Sequence, residues 1–153
     1  MATVRAEITV NAAIEDVWDA VRDFGRLHER LAPGFVTDCV VDGEDRVVTF
    51  FNGTVVRERL ISVSEADHRL AWTIVDGPWT HHSGSVELHP EGVGRTRFVW
   101  TTDVLPHGTA DATRKMVEQG MLVIQRRSTV HRETPRPCER GRQPWAGPVR
   151  RAR

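Results

Sequence analysis

Apolar and polar residues alternate along most of the first hundred positions, which is the period of β-strands with one buried face. The alternation starts between positions 4 and 10, where Val, Ala, Ile and Val occupy every second position. From position 35 to position 103 several such segments follow one another, with turn signals such as Asp42-Gly43 and Asn52-Gly53 between them. Counting the first segment, the pattern predicts seven strands in antiparallel order.

Helical spacing replaces this alternation on either side of the strand-rich region. After the first strand, Ile14, Val17, Trp18 and Val21 fall on one helical face, and a second short helix is predicted at positions 26–31. After the last strand, positions 109–127 predict a helix of about 19 residues, with Thr109 as its N-cap. Its apolar half-circle consists of Ala110, Ala112, Thr113, Met116, Val117, Gly120, Met121, Val123 and Ile124. A bent sheet would bury this face, so the order of elements predicts an α+β domain.

The centre of the last helix carries a glycine on its apolar face, at position 120. Glycine costs about 1 kcal/mol in a helix interior relative to alanine, so its presence needs a reason. Two interpretations are open. Gly120 permits close packing against a strand, or it leaves space for a bound molecule.

Charge is unevenly distributed along the chain. Residues 1–125 contain 12 Lys/Arg and 19 Asp/Glu, whereas residues 126–153 contain 9 Arg and 2 Glu. The acidic main part argues against nucleic acid as the partner of the folded domain.

No run of 18 apolar residues is present, and two cysteines, Cys39 and Cys138, provide no disulfide framework. We therefore expect no membrane span and a cytoplasmic location.

The last part of the chain has a different composition from the rest. Residues 133–153 include four Pro and six Arg and show no periodicity. Such a segment buries too little apolar surface to offset its ordering entropy. We expect a folded domain at residues 3–130 and a disordered Arg/Pro-rich tail at residues 131–153.

Three segments resemble a known superfamily. They are ITVNAAIEDVWDAVRDFG near the start, TVVRERLISVSEADHRLAWTIVDG in the middle and VGRTRFVWTTDVLP before the last helix. They resemble the SRPBCC superfamily, which includes START domains and birch-pollen-allergen relatives, and are most similar to its polyketide cyclase/dehydrase-like branch. The resemblance implies a helix-grip fold, in which a curved seven-stranded antiparallel sheet wraps around the long C-terminal helix and encloses a cavity. Members share a cavity more than a reaction, so the site must be argued from this chain's residues.

Strand alternation predicts which side chains enter that cavity. Glu58 shares a face with Val56 and Leu60, while Arg57 and Arg59 lie on the opposite face, where water can solvate them. His82 shares a face with the apolar residues of its own strand. The expected ligand-binding residues are Trp72, Phe98, Trp100, Thr102, Met116, Val117 and Gly120.

Glu58 and His82 are the candidate catalytic residues. A carboxyl group in an apolar site and an imidazole, which titrates near neutral pH, can move protons in an aldol cyclisation or a dehydration. Each residue also has a structural interpretation. Glu58 could be a carboxylate bonded to the backbone or to an arginine, and His82 could be an imidazole satisfied by a hydroxyl.

The sequence gives little indication of a metal or a cofactor. His81 and His82 are adjacent in a strand and point to opposite faces, so they do not readily share an ion. The chain has no phosphate-cradling glycine loop, dinucleotide fingerprint or G-x-S-x-G elbow. We expect neither a metal site nor a cofactor.

These observations favour binding of a hydrophobic, aromatic or polyketide-like small molecule, with cyclase or dehydratase activity as one outcome. A non-catalytic lipid or metabolite carrier would need the same cavity. A protein-interaction module would use the outer surface instead.

Overall fold

The structure, a computed structural model, describes residues 1–130, with side chains described as far as Arg127. The predicted order of one strand, short helices, six strands and a long helix is confirmed. The elements are β1 (Ala2–Val10), α1 (Ile14–Arg22), α2 (Leu27–Arg30), β2 (Val36–Asp42), β3 (Asp45–Phe50), β4 (Val55–Ser64), β5 (Arg69–Asp76), β6 (His81–Pro90), β7 (Thr96–Leu105) and α3 (Ala110–Val130). Short 3₁₀ turns precede α2 and α3.

All seven strands belong to one antiparallel sheet in the order β1-β7-β6-β5-β4-β3-β2. The strands from β2 to β7 follow each other as hairpins, and β1 pairs with β7 to form the other edge. The sheet is curved and encloses α3, which is the helix-grip arrangement that the resemblance implied. Alternate residues of every strand therefore face the helix.

Helix α3 buries most of the face that its spacing predicts, although Ala112 is exposed. Thr113, Val117, Gly120, Met121 and Ile124 are buried, whereas Leu122 is 50% exposed. The predicted N-cap is wrong, because Thr109 lies in the preceding 3₁₀ turn and its hydroxyl donates to the carbonyl of Pro106 at 2.7 Å. The helix thus starts at Ala110 and places its first two turns over the sheet.

The turn between β3 and β4 determines which residues of these two strands are paired. The amide of Gly53 donates to Phe50 O, and the amide of Phe50 donates to Thr54 O, so the loop has three residues, Phe51, Asn52 and Gly53. Gly53 has a φ of +83°, which glycine adopts without steric cost. With this loop length, Arg46 lies opposite Glu58 in the sheet.

Strand β4 contains two register shifts relative to β5, one between Arg57 and Glu58 and one between Leu60 and Ser62. Glu58 nevertheless keeps the predicted inward orientation and is 5% exposed. On the outer side, Arg57 and Arg59 both pair with Asp45, at 3.2 Å and 2.8 Å. The bulges therefore leave the two arginines outside and the carboxylate inside.

The predicted tail and Cys138 lie outside the described residues. Within the described range, no helix has the length and apolar character needed to cross a membrane.

Candidate ligand cavity

A cavity lies between the inner face of the sheet and α3 and consists of two adjoining lobes. The outer lobe has a volume of about 220 Å³ and the inner lobe about 60 Å³. The side chains that border both lobes are Phe35, Phe50, Glu58, Trp72 and Trp100. Four aromatic rings and one carboxylate thus form the junction.

The outer lobe is covered by the first half of α3 and by two loops. Ala112, Thr113, Met116 and Val117 border it on the helix side. The sheet contributes Ile74 and His82, and the loops contribute Asn52, Thr54, Pro78 and Trp79. The wall is therefore mostly apolar, with a few polar groups, as expected for a small-molecule site.

The loops bond to the helix at the mouth of the cavity, which we define as Asn52, Trp79, Thr113 and Met116. Trp79 Nε1 donates to Thr113 Oγ1 at 3.2 Å. On the other side, Asn52 Nδ2 lies 3.9 Å from Met116 Sδ. These two side-chain contacts connect the loops to α3 at the rim of the outer lobe, and neither belongs to the backbone ladder of the sheet.

Glu58 forms an ion pair with Arg46 in the cavity wall. Arg46 Nε donates to Glu58 Oε2 at 2.7 Å, and Nη2 lies 2.6 Å from the same oxygen. Arg46 is held from behind, since Nη1 donates to Phe24 O at 2.9 Å and its Cζ lies 3.9 Å from the Phe24 ring centroid. The arginine-bonded form that the sequence left open for Glu58 is therefore present.

His82 is buried beside Trp79, with 4.9 Å between the ring centroids. Burial lowers the pKa of His82 to about 4, because the apolar surroundings disfavour the imidazolium. The expectation that this imidazole titrates near neutral pH is wrong. At pH 7 His82 is neutral and can donate or accept a hydrogen bond but does not serve as a cationic acid.

Glu58 and His82 both border the outer lobe, so one bound molecule can contact both. Trp72, Trp100, Met116 and Val117 also border it, and Phe98 borders the inner lobe. Thr102 and Gly120 are buried but are not among the described residues that line either lobe.

Close packing explains both glycines near the cavity. A Cβ on Gly120 would lie 3.0 Å from Phe35 Cε1 and 3.1 Å from Trp100 Cζ3. A Cβ on Gly84 would lie 2.5 Å from Trp72 Cζ2. Of the two interpretations of Gly120, the geometry favours packing, because its missing side chain is replaced by the two rings.

Several polar atoms around the cavity are buried without a partner. Among the residues that line the lobes, no hydrogen bond within residues 1–127 is made by Trp72 Nε1, Trp100 Nε1 or His82 Nδ1. Buried donors usually have partners, so their concentration around one cavity is a feature of a binding site rather than of a closed core. No cluster of three or more His, Cys, Asp or Glu suited to a metal ion occurs in the same range.

Sequence reasoning missed Phe35, Phe50 and Arg46, although a signal for two of them was present. Arg46 and Phe50 share a strand face with Val48, which is completely buried, so alternation alone would have turned both inward. Phe35 lies just before β2, where alternation gives no information, and only its packing against α3 reveals its position.

Comparison with known proteins agrees with this geometry. Residues 1–125 match the family described as polyketide cyclase / dehydrase and lipid transport. Comparison with curated proteins finds no match.

Solved structures share the fold. A protein from Thermobifida fusca is 27% identical, with a TM-score of 0.68 over 86% of this chain and 93% of the other. A START superfamily protein from Mycobacterium smegmatis is 16% identical, with a TM-score of 0.63 over 85% and 95% of the two chains. Norcoclaurine synthase from Thalictrum is 17% identical, with a TM-score of 0.63 over 86% and 96%.

The family match extends over most of the chain, and the helix-grip fold with its START-like neighbours agrees with it. The chain therefore belongs to the polyketide cyclase / dehydrase and lipid transport family, within the SRPBCC superfamily.

Proposed function

We propose that the protein binds a hydrophobic, aromatic or polyketide-like small molecule in the two-lobed cavity, where Glu58 and His82 are available for proton transfer. The observation that carries this proposal is the cavity itself, which lies between the sheet and α3 and is bordered by the rings of Phe35, Phe50, Trp72, Trp79 and Trp100.

The volume of the cavity limits the size of the ligand. An apolar cavity of about 150 Å³ holds one benzene molecule. The outer lobe, at about 220 Å³, has room for a bicyclic aromatic, and the inner lobe admits a small substituent. Flat aromatic walls favour a planar ligand over a branched one.

The polar groups suit chemistry at a carbonyl compound. The Glu58 carboxylate can accept a proton from a carbon next to a carbonyl group. The neutral His82 can donate a hydrogen bond to the carbonyl oxygen as charge develops on it. This division of roles is compatible with a cyclisation or a dehydration, and norcoclaurine synthase demonstrates that the fold can carry an enzyme.

One observation favours a second function, non-catalytic carriage of the same kind of ligand. Arg46 already bonds the carboxylate of Glu58, with 2.6 Å between Nη2 and Oε2, so one oxygen of the candidate base is engaged within the protein. A carrier needs the cavity and its mouth but no proton transfer. Turnover assays on Glu58 and His82 variants distinguish the two functions, because general acid–base groups contribute about 100- to 10,000-fold in rate.

Native mass spectrometry after mild purification tests the binding proposal. We expect a bound small molecule on the wild type and its loss from Val117→Phe, which fills the outer lobe. Leu122→Phe is the matched control, because it introduces the same phenyl ring on the exposed side of the same helix and should keep the ligand. A wild type that neither retains a ligand nor binds added aromatic compounds would contradict the proposal.

A further inference from the structure

We propose that the ligand carries a neutral hydroxyl group, a phenol or an enol, that donates a hydrogen bond to Glu58 Oε1, and that Arg46 is the positioning residue that presents this oxygen. The inference rests on the proposed function, since it specifies the class of molecule that the cavity accepts. It follows from which oxygen of Glu58 is bonded by Arg46 and which is left without a donor.

The two oxygens of Glu58 are in different situations. The hydrogen bond from Arg46 Nε, at 2.7 Å, and the ion-pair contact of Nη2, at 2.6 Å, both reach Oε2. In the described part of the chain, no donor bonds to Oε1. The Glu58 side chain is only 6% exposed and borders both lobes, so bulk water does not reach it freely. A carboxylate oxygen of a side chain this largely buried is costly to leave without a donor, and a ligand in the lobes is placed to supply one.

Arg46 fixes the orientation of the carboxylate. Its guanidinium is held at three points, by Glu58 Oε2, by the Phe24 carbonyl oxygen and by the face of the Phe24 ring. A guanidinium held in this way cannot follow a rotating carboxylate. Oε1 therefore remains the free oxygen of a side chain that borders both lobes.

Charge balance selects a neutral donor over a cationic one. The positive charge of Arg46 already compensates Glu58, so an ammonium group would leave one excess charge in an apolar cavity. A hydroxyl adds no charge and satisfies the free oxygen. Given the room for two rings, the expected ligand is a bicyclic phenol or an enol of similar size.

Three matched molecules test the proposal on the whole chain: 2-naphthol, 2-methoxynaphthalene and 2-naphthylmethylamine. They share the two rings and differ in offering a neutral donor, no donor and a cationic donor. Hydrogen bonds to charged groups are strong enough for a preference of tenfold or more. We expect 2-naphthol to bind wild type about tenfold more tightly than either of the others, measured by calorimetry at neutral pH.

Variants then show which residues cause the preference for 2-naphthol. The double variant Arg46→Met/Glu58→Leu removes the pair and should bind 2-naphthol and its methyl ether equally. Arg46→Lys keeps the positive charge and should still bind 2-naphthol more tightly than its methyl ether, but by a smaller ratio than wild type. If the arginine were purely structural, this ratio would not change. The matched control is Arg69→Met/Glu87→Leu, which removes a cross-strand pair of the same chemistry on the exposed surface and should preserve the ratio.

The outcomes separate this inference from the proposed function. Equal binding of the three molecules to wild type, or a ratio unchanged in the double variant, would overturn the hydroxyl proposal while leaving the ligand cavity in place. A tighter complex with the amine would overturn the argument from charge balance. Failure of all three to bind would overturn the proposed function and this inference together.

Discussion

Arg46 and Glu58 face each other across β3 and β4 and form an ion pair with both side chains 6% exposed, in a wall that is otherwise mostly aromatic and aliphatic. Moving two charges out of water costs free energy, and their mutual attraction offsets this cost only when both partners are present. The pair therefore contributes little net stability as long as it is complete, but removing one of its partners leaves an uncompensated buried charge.

We expect Glu58→Leu or Arg46→Met alone to lower the free energy of unfolding by about 3–5 kcal/mol, because each leaves a buried charge without a partner. The double variant Arg46→Met/Glu58→Leu should unfold within about 1 kcal/mol of wild type or be more stable. Urea denaturation followed by tryptophan fluorescence measures all three. Arg69→Met, at an exposed pair, should cost less than about 1 kcal/mol. If the cost of the double variant equals the sum of the two single costs, the pair is not energetically coupled.

Burial of His82 predicts an acid-dependent loss of stability. Its pKa is about 4 in the folded chain and 6.5 in the unfolded one, so the unfolded chain takes up a proton first as the pH falls. The contribution is fully present above pH 6.5, decreases below it and is lost at about pH 4. Its size is at most about 3 kcal/mol.

Unfolding free energies between pH 7 and pH 4 measure this effect. His82→Phe should make the decrease in unfolding free energy with falling pH less steep, because phenylalanine takes up no proton in either the folded or the unfolded chain. His81→Phe is the control, since His81 is the exposed neighbour in the same strand and repulsion from it is the smallest cause of the lowered His82 pKa, so its replacement should keep most of the wild-type slope. Identical slopes for the two variants would contradict the assignment to His82.

The two packed glycines predict opposite tolerances to alanine. Gly84→Ala places a methyl group 2.5 Å from the Trp72 ring and should cost about 1–3 kcal/mol through forced repacking. Gly120→Ala meets Phe35 and Trp100 at 3.0 Å and 3.1 Å, so a shift of about a few tenths of an ångström by these rings relieves the contact. The gain in helix propensity, about 1 kcal/mol, should offset that strain. Urea denaturation compares the two, and equal losses would show that the rings near α3 cannot move.

The bond between Trp79 and Thr113 predicts a measurable coupling at the cavity mouth. A double-mutant cycle of Trp79→Phe and Thr113→Val should give a coupling of about 1 kcal/mol, as expected for one hydrogen bond between neutral groups. Both single variants should also release a bound naphthol faster, which stopped-flow fluorescence measures. Additive effects of the two changes would mean that the contact does not hold the mouth closed.

The composition of the last residues predicts that they are dispensable for folding. A chain ending at Val130 should melt within about 2 °C of the full chain, because the Arg- and Pro-rich segment buries too little apolar surface to contribute. Differential scanning calorimetry of both chains is the measurement. A drop of several degrees would show that residues 131–153 stabilise the domain.

The sequence by itself determined the number and order of the elements and most of their buried faces. Alternation in the strands and the spacing of Thr113, Val117 and Ile124 in α3 report directly which side of each element avoids water, because these patterns follow the geometry of the backbone. For the same reason, alternation was sufficient to place Glu58 and His82 inside the sheet. It would also have placed Arg46 there.

Tertiary structure decided what these buried groups do. A two-residue Asn52-Gly53 turn would have set Arg46 opposite Arg59, whereas the three-residue loop sets it opposite Glu58 and makes the ion pair. The pKa of His82 is lowered by burial, and that burial depends on an element distant in sequence, since Thr113, Met116 and Val117 of α3 border the same lobe as His82. The mouth itself joins Trp79 to Thr113, 34 positions further along the chain. Periodicity reports on one element at a time, while charge pairing, desolvation and closure depend on how separate elements meet.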